Sequence, residues 1–200
     1  MHTMSTPAVR LAALLFAISP LAAQQPASQP PMSAKEQAMM AAMEKAGTPG
    51  AEHAWLNKMA GSWDFTATFW MGPGGPPTTS TGSAERSMIL GGRVMVEKVT
   101  SQMMGQPFEG LGMMGFDNVS GKYWGTWNDN MSTGVMSSTG TCADGRCEFE
   151  SVANDPVTGK AATARMTSEH GPDREVHAMF VAGPDGRQFK SMELVYTRKK

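Results

Sequence analysis

The sequence predicts an all-β fold, an up-and-down antiparallel barrel of about ten strands with one or two short helices at its N-terminal side. Three observations carry this. From residue 63 onward, short segments rich in aromatics, Thr and Val follow one another with strand-like patterning. The breaks between them are clusters of Gly, Asn, Asp and Pro. Nearly all of the breaks suit hairpins and none holds a crossover helix, so successive strands should pair antiparallel, and ten of them escape exposed edges most readily by closing on themselves. The stretch from Gln102 to Met136 shows the pattern best: Phe108 to Phe116 and Lys122 to Asn130 flank the turn Asp117-Asn118-Val119-Ser120-Gly121.

Arg10 precedes the apolar run from Leu11 to Ala23, which is shorter than the ~20 apolar residues of a membrane span and fits a secretory signal, residues 1–23. The reading implies a periplasmic or secreted protein with no membrane span in the mature form. Residues 24–32 (QQPASQPPM) have the composition of a disordered linker. Ser33 and Glu36 form a capping box ahead of a run of helix formers, and Gly47 and Pro49 end it, which predicts a helix over 34–46. Its Met39, Met40 and Met43 share a face expected to pack on the domain. A second helix is expected over 50–59, with Trp55, Leu56 and Met59 on one side. The barrel domain then spans 48–200.

Apolar residues at alternate positions from Trp63 to Met71 mark the first strand. The others are expected near 78–90, 93–103, 108–116, 122–130, 133–143, 146–153, 160–169, 174–182 and 187–198. Cys142 and Cys147 flank Ala143-Asp144-Gly145-Arg146, and Asp-Gly is a strong two-residue hairpin signal. If those two residues are the turn, the cysteines face each other as a non-hydrogen-bonded pair at disulfide distance. An exported chain would oxidise them.

Charge excludes some partners. The chain has 17 Lys and Arg against 18 Asp and Glu; without residues 1–23, which hold one Arg and no acid, 16 − 18 leaves −2. With no basic stripe, nucleic acid is a poor partner.

The segment from Pro49 to Arg198 carries Pro49-Gly50-x-Glu52-His53, Gly61-x-Trp63, Met71-Gly-Pro-Gly74, Gly105-Gln-Pro-Phe-Glu-Gly110 and Gly183-Pro-Asp-Gly186 leading to Phe189 and Met192-Glu193. In these motifs it resembles a bacterial family catalogued as domain of unknown function 1579. The resemblance implies a calycin-type barrel, and Gly61-Ser62-Trp63 is similar to the lipocalin opening, where a Trp closes the barrel bottom near a C-terminal Arg, here Arg198. The N-terminal helix and the Met-rich composition depart from that pattern.

Gly110-Leu-Gly112-Met-Met-Gly115 matches the dinucleotide fingerprint in letters only, because a second strand follows it where a helix is needed. Seventeen of the 19 methionines follow residue 23, which raises soft-metal binding. With Pro172-Asp173 as a two-residue turn, Met166 faces Met179, Ser168 faces His177 and His170 lies diagonally, so Met166, His170, His177 and Met179 form a candidate copper site. For catalysis, Glu97, Glu109, Asp129, His53, His177 and Glu193 supply acids and bases without a linking spacing. His177 opposite Glu193 is the best candidate dyad, expected if residues 183–187 make a three-residue loop. No cofactor is implied.

A barrel of about ten strands is too wide for side chains alone to fill. The function expected is therefore binding of a small apolar or amphipathic molecule in the lumen, without catalysis. Trp124, Trp127, Asn128 and Asn130 are the candidate ligand residues, offering stacking surface and uncharged hydrogen-bonding groups on both faces of their strand. An enzyme sharing the pocket, a copper handler and an interaction module with a filled barrel are the alternatives.

Overall fold

The computed structural model describes residues 32–200. The expected signal and nearly all of the linker therefore lie outside the described residues. Ten strands form one closed antiparallel barrel in which each pairs with its sequence neighbours: β1 (Gly61–Phe69), β2 (Thr78–Ile89), β3 (Val94–Met103), β4 (Gln106–Asp117), β5 (Lys122–Asp129), β6 (Met136–Ala143), β7 (Arg146–Asn154), β8 (Ala161–His170), β9 (Arg174–Ala182) and β10 (Gln188–Arg198). Closure joins β1 to β10 with Trp63 opposite Arg198 and Phe69 opposite Met192. No strand is left with an open edge. Strand β1 starts and ends two residues earlier than the alternation from Trp63 to Met71 predicts, because Gly61 and Ser62 already pair with Arg86 and Glu85.

Two helices precede the barrel, α1 (Ala34–Gly47) and α2 (Ala51–Lys58). The capping box of α1 forms: Glu36 N donates to Ser33 Oγ at 3.3 Å and Ser33 N donates to Glu36 Oε2 at 2.7 Å. The expectation that the Met face of α1 packs on the domain is overturned. No residue of α1 is buried, and Met39, Met40 and Met43 are each more than half exposed. The helix is held by its C-terminal end alone, where Arg93 donates to the Gly47 carbonyl at 2.6 Å and Asn118 donates to the Thr48 carbonyl at 2.8 Å. Two hairpin turns, β2–β3 through Arg93 and β4–β5 through Asn118, take up the helix-end carbonyls and orient the helix without burying a face.

Helix α2 closes one end of the barrel. Its Leu56 and the following Met59 are buried against Met95 and Tyr123, with Phe116, Met114 and Phe149 around them. The Trp63 indole donates to the Met59 carbonyl at 3.0 Å, which fixes the helix to the start of β1. Arg198 lies over the Trp63 ring at 4.2 Å and donates to the carbonyls of Lys58 and Ala60, both at 2.7 Å, and of Pro172 at 2.8 Å. Gly61 is required here, since its φ of 127° suits no other residue well and a Cβ would lie 2.8 Å from the Arg198 guanidinium.

The Cys142–Cys147 disulfide joins β6 to β7 behind the Asp144-Gly145 turn, with Cα atoms 4.1 Å apart, as suits a non-hydrogen-bonded pair. Asp144 and Gly145 both have positive φ, the requirement of that hairpin. At the β9–β10 hairpin, Gly183 N donates to Arg187 O at 2.8 Å, which gives the three-residue loop. A bulge between Lys190 and Met192 then shifts the register by one. His177 consequently faces Leu194, and the candidate dyad with Glu193 does not form; Glu193 pairs with Lys190 at 2.6 Å instead.

Candidate functional site

Alternation along the strands sends Phe65, Ala67, Ala84, Arg86, Met95, Glu97, Val99, Phe108, Trp127, Met166, His177 and Tyr196 inward. They enclose two cavities. The larger, of about 430 Å³, lies at the end away from α2. Phe69, Met103, Phe108, Met179, Met192 and Leu194 line its wall, and Met131, Ser132, Gly134 and Val135 of the β5–β6 loop rim its mouth. The smaller, of about 150 Å³, lies nearer α2, between Met59, Met95, Met114, Phe149 and Met166. Both share Glu97, Trp127, Met136, Met166 and His177 in their walls.

A belt of buried polar groups crosses the lumen beside that shared wall. Arg86 on β2 donates from Nε to Glu97 Oε1 on β3 at 2.7 Å and from Nη1 to Glu175 Oε2 on β9 at 2.6 Å. Strands β2 and β9 are not neighbours, so the second bond spans the interior. The guanidinium is stacked on Tyr196 at 4.5 Å and Trp63 at 5.1 Å, which suits its weak hydration and planar charge. Glu175 Oε2 also accepts from His177 Nε2 at 3.2 Å, and His170 Nε2 bonds Ser168 Oγ at 2.8 Å. Glu175 Oε1 and His170 Nδ1 stand 3.4 Å apart without the alignment of a hydrogen bond, and neither buried atom has another partner.

These neighbours set the charges. Burial by itself raises the Glu175 pKa, but the imidazoles of His170 and His177 and the Arg86 charge outweigh it and hold the carboxyl well below the usual carboxylate range. Burial lowers His177 below its ordinary value, and the bond to Glu175 only partly offsets that. Burial, then the Glu97 charge, pushes the Tyr196 phenol well up, so it stays neutral. At neutral pH the belt therefore holds a charged Glu175 and Arg86 beside an uncharged His177 and a neutral Tyr196.

The candidate ligand residues separate by face. Trp127 is inside, its ring lying on Gly110 and Gly112 and its indole donating to Asp129 Oδ2 at 2.9 Å. A Cβ on Gly110 would overlap that ring, so the two inward glycines of the false dinucleotide motif make room for Trp127, and the motif lies wholly in β4. Trp124 is on the opposite face, packed over Gly115 on the outside of the barrel, which removes it from the lumen. Asn128 borders the mouth and donates to Gly134 O at 3.0 Å. Asn130 accepts from Glu109 N at 3.1 Å and donates to Pro107 O at 3.0 Å, so it ties the rim to β4.

Met166, His170, His177 and Met179 share the inward face, with Met166 opposite Met179 and Ser168 opposite His177. The Met166 sulfur accepts from Ser151 Oγ at 2.9 Å. Between the two histidines sits Glu175, which sequence reasoning missed together with Arg86. Glu97, one of the acids that no spacing linked to a partner, is inside. His53 is on the buried face of α2, accepting from Gly50 N at 3.1 Å with its ring edge-on to Phe116. Glu109 is exposed and Asp129 braces Trp127 and Met131 N, so neither joins the belt.

Residues 48–198 match the family described as "Protein of unknown function (DUF1579)". The chain belongs to that family. The expected resemblance and its calycin-like barrel are thus borne out. No curated protein matches the chain. Among solved structures it is similar to the crystal structure of Rv2717c from M. tuberculosis, with a TM-score of 0.57 and 12% identity over 76% of this chain and 100% of that one. The likeness is one of fold.

Proposed function

We propose that this DUF1579 protein is an exported, non-catalytic barrel that binds a small amphipathic molecule in its lumen. The observation that carries this is the cavity of about 430 Å³, apolar along its wall and closed at its floor by polar groups. Its volume lies within the range of small-molecule sites, and an apolar wall with a few convergent polar groups is their usual make-up. Phe69, Met103, Met179, Met192 and Leu194 suit a flexible hydrocarbon body, since Met adapts to irregular shapes. His177, neutral and about a fifth exposed, is the member of the belt best placed to meet a polar end. Export is supported by the apolar run after Arg10 and agrees with the disulfide, a bond that persists in oxidising compartments.

The test has two arms. Native mass spectrometry of protein purified from its own envelope is expected to show a co-purified small molecule. A fluorescent fatty-acid probe is expected to bind the stripped protein, and Met103→Trp, which narrows the cavity, should weaken it at least tenfold while the fold is kept. Absence of both adduct and probe binding would refute the reading.

A further inference from the structure

The buried atoms without partners point to a metal site. Glu175 Oε1 and His170 Nδ1 are both inside the barrel, 3.4 Å apart and not hydrogen-bonded. Glu175 Oε2 and His177 Nε2 are 3.2 Å apart, and one ligand atom from each of the three residues lies within 4.8 Å of the others. Two donors each bound about 2.0 to 2.1 Å from one tetrahedral ion are about 3.3 Å apart, so the spacing that is poor for a hydrogen bond is the spacing of neighbouring ligands. We propose that His170, Glu175 and His177 bind one divalent transition ion of the Zn²⁺ type at the floor of the lumen.

The surroundings support the assignment. Ser168 Oγ can accept from His170 Nε2, which leaves the Nδ1 lone pair facing Glu175 Oε1. In that tautomer the two lone pairs repel unless a cation lies between them; in the other, an Nδ1–H faces Glu175 Oε1 and its proton shifts to Nε2 when the ion takes its place. Arg86 donates to Glu175 Oε2, the kind of outer hydrogen bond that fixes a ligating carboxylate and leaves its other oxygen for the ion. Glu97 and Glu175 set two carboxyl groups against one guanidinium around the position the ion would take. Binding displaces the proton on His177 Nε2, which moves to Nδ1 of the same ring. Three protein ligands leave a fourth position open toward the cavities, which His177 borders on both sides. Two imidazoles and a carboxylate are a harder donor set than the two Met and two His expected from the sequence, and they favour Zn²⁺ over Cu(I).

The experiment uses the ion alone, so its result is separate from whether an organic molecule fills the chamber. Chelator-stripped full chain is titrated with Zn²⁺ by calorimetry, and with Co²⁺ by visible absorption. One equivalent of Zn²⁺ at low-micromolar affinity or tighter is expected, with the absorption bands of four- or five-coordinate Co²⁺. His170→Ala with His177→Ala should weaken binding by more than about 100-fold with the circular dichroism spectrum kept, since the loss of an outer hydrogen bond already costs 10- to 100-fold. Glu175→Gln should lose the Co²⁺ bands, and Glu175→Asp should restore part of them. No saturable binding, binding untouched by the double variant, or binding that needs Met166 and Met179 but not Glu175 would each overturn the assignment.

Discussion

Replacing Arg86 by Met removes the cation that ties β2, β3 and β9 together. The Arg86 side chain is 2% exposed and Glu175 1%, so the carboxylate loses its counter-charge in a place water does not reach. Two charge-assisted bonds disappear, worth about 1.5 to 3 kcal/mol each in isolation. The loss is limited because Glu175 can take up a proton once Arg86 is gone, and the Met side chain fills much of the volume between Trp63 and Tyr196. Breaking a buried pair from one side costs about 3 to 5 kcal/mol. For a barrel of this size that lowers the melting temperature by roughly 6 to 20 °C. Arg86→Met with Glu175→Gln should regain about half of the loss, because the uncompensated charge is the main penalty. Urea unfolding at neutral pH, with chelator present and tryptophan emission as the signal, measures all three free energies. Arg86→Met within 1 kcal/mol of the parent, or a double variant whose cost equals the sum of the two single ones, would refute the account of a coupled ion belt.

Reducing Cys142–Cys147 should leave a cooperative transition, since a bridge across one tight turn contributes only about 2 kcal/mol of loop entropy; non-cooperative melting in dithiothreitol would show otherwise. Arg198→Ala removes three carbonyl contacts and the cover of Trp63, so thermal unfolding should show a loss of about 2 to 4 kcal/mol, and Arg198→Lys should recover less than half because an ammonium lacks the planar fan of donors. Met39→Glu and Met43→Glu should change stability by less than about 0.5 kcal/mol, since both side chains are exposed; a loss above 2 kcal/mol would mean that α1 packs on the barrel.

Much of the barrel was legible because its information is local. Asp-Gly between Cys142 and Cys147, period-two alternation after Trp63 and short turns between segments each specify a neighbour in sequence, and an up-and-down barrel is built from such neighbours. One local error propagated. The bulge near Ser191 inserts a residue that no pattern announces, and it alone moves His177 from Glu193 to Leu194. The belt was harder to read, because Arg86 and Glu175 meet across the lumen from strands 89 residues apart. A charge on the same strand face as an inward His is the available signal, and Glu175 carries it as the residue two before His177. Facing was ambiguous for Trp124 and Trp127, which lie on opposite sides although both are large and aromatic; the glycines that accept each ring, Gly115 outside and Gly110 with Gly112 inside, are what tell them apart.

The order of polarity along the lumen fixes how an amphipathic ligand would lie in it. The mouth is rimmed by Met131, Ser132, Gly134 and Val135 with Asn128 beside them, the wall beneath is lined by Phe69, Met103, Met179, Met192 and Leu194, and the charged groups are at the far end. A polar head left at the mouth would keep its water and gain nothing from the belt, while the apolar tail would press against Glu97 and His177. With the head inward, it gives up water in passing the apolar wall, and that loss is recovered only if the floor supplies bonds of comparable strength. The floor has them: His177 and Glu97 both line the cavity, and Arg86 holds Glu97 at 2.7 Å. Affinity should then depend more steeply on the head group than on tail length, since each added CH₂ contributes only about 0.8 kcal/mol whereas an unmatched buried polar head costs several.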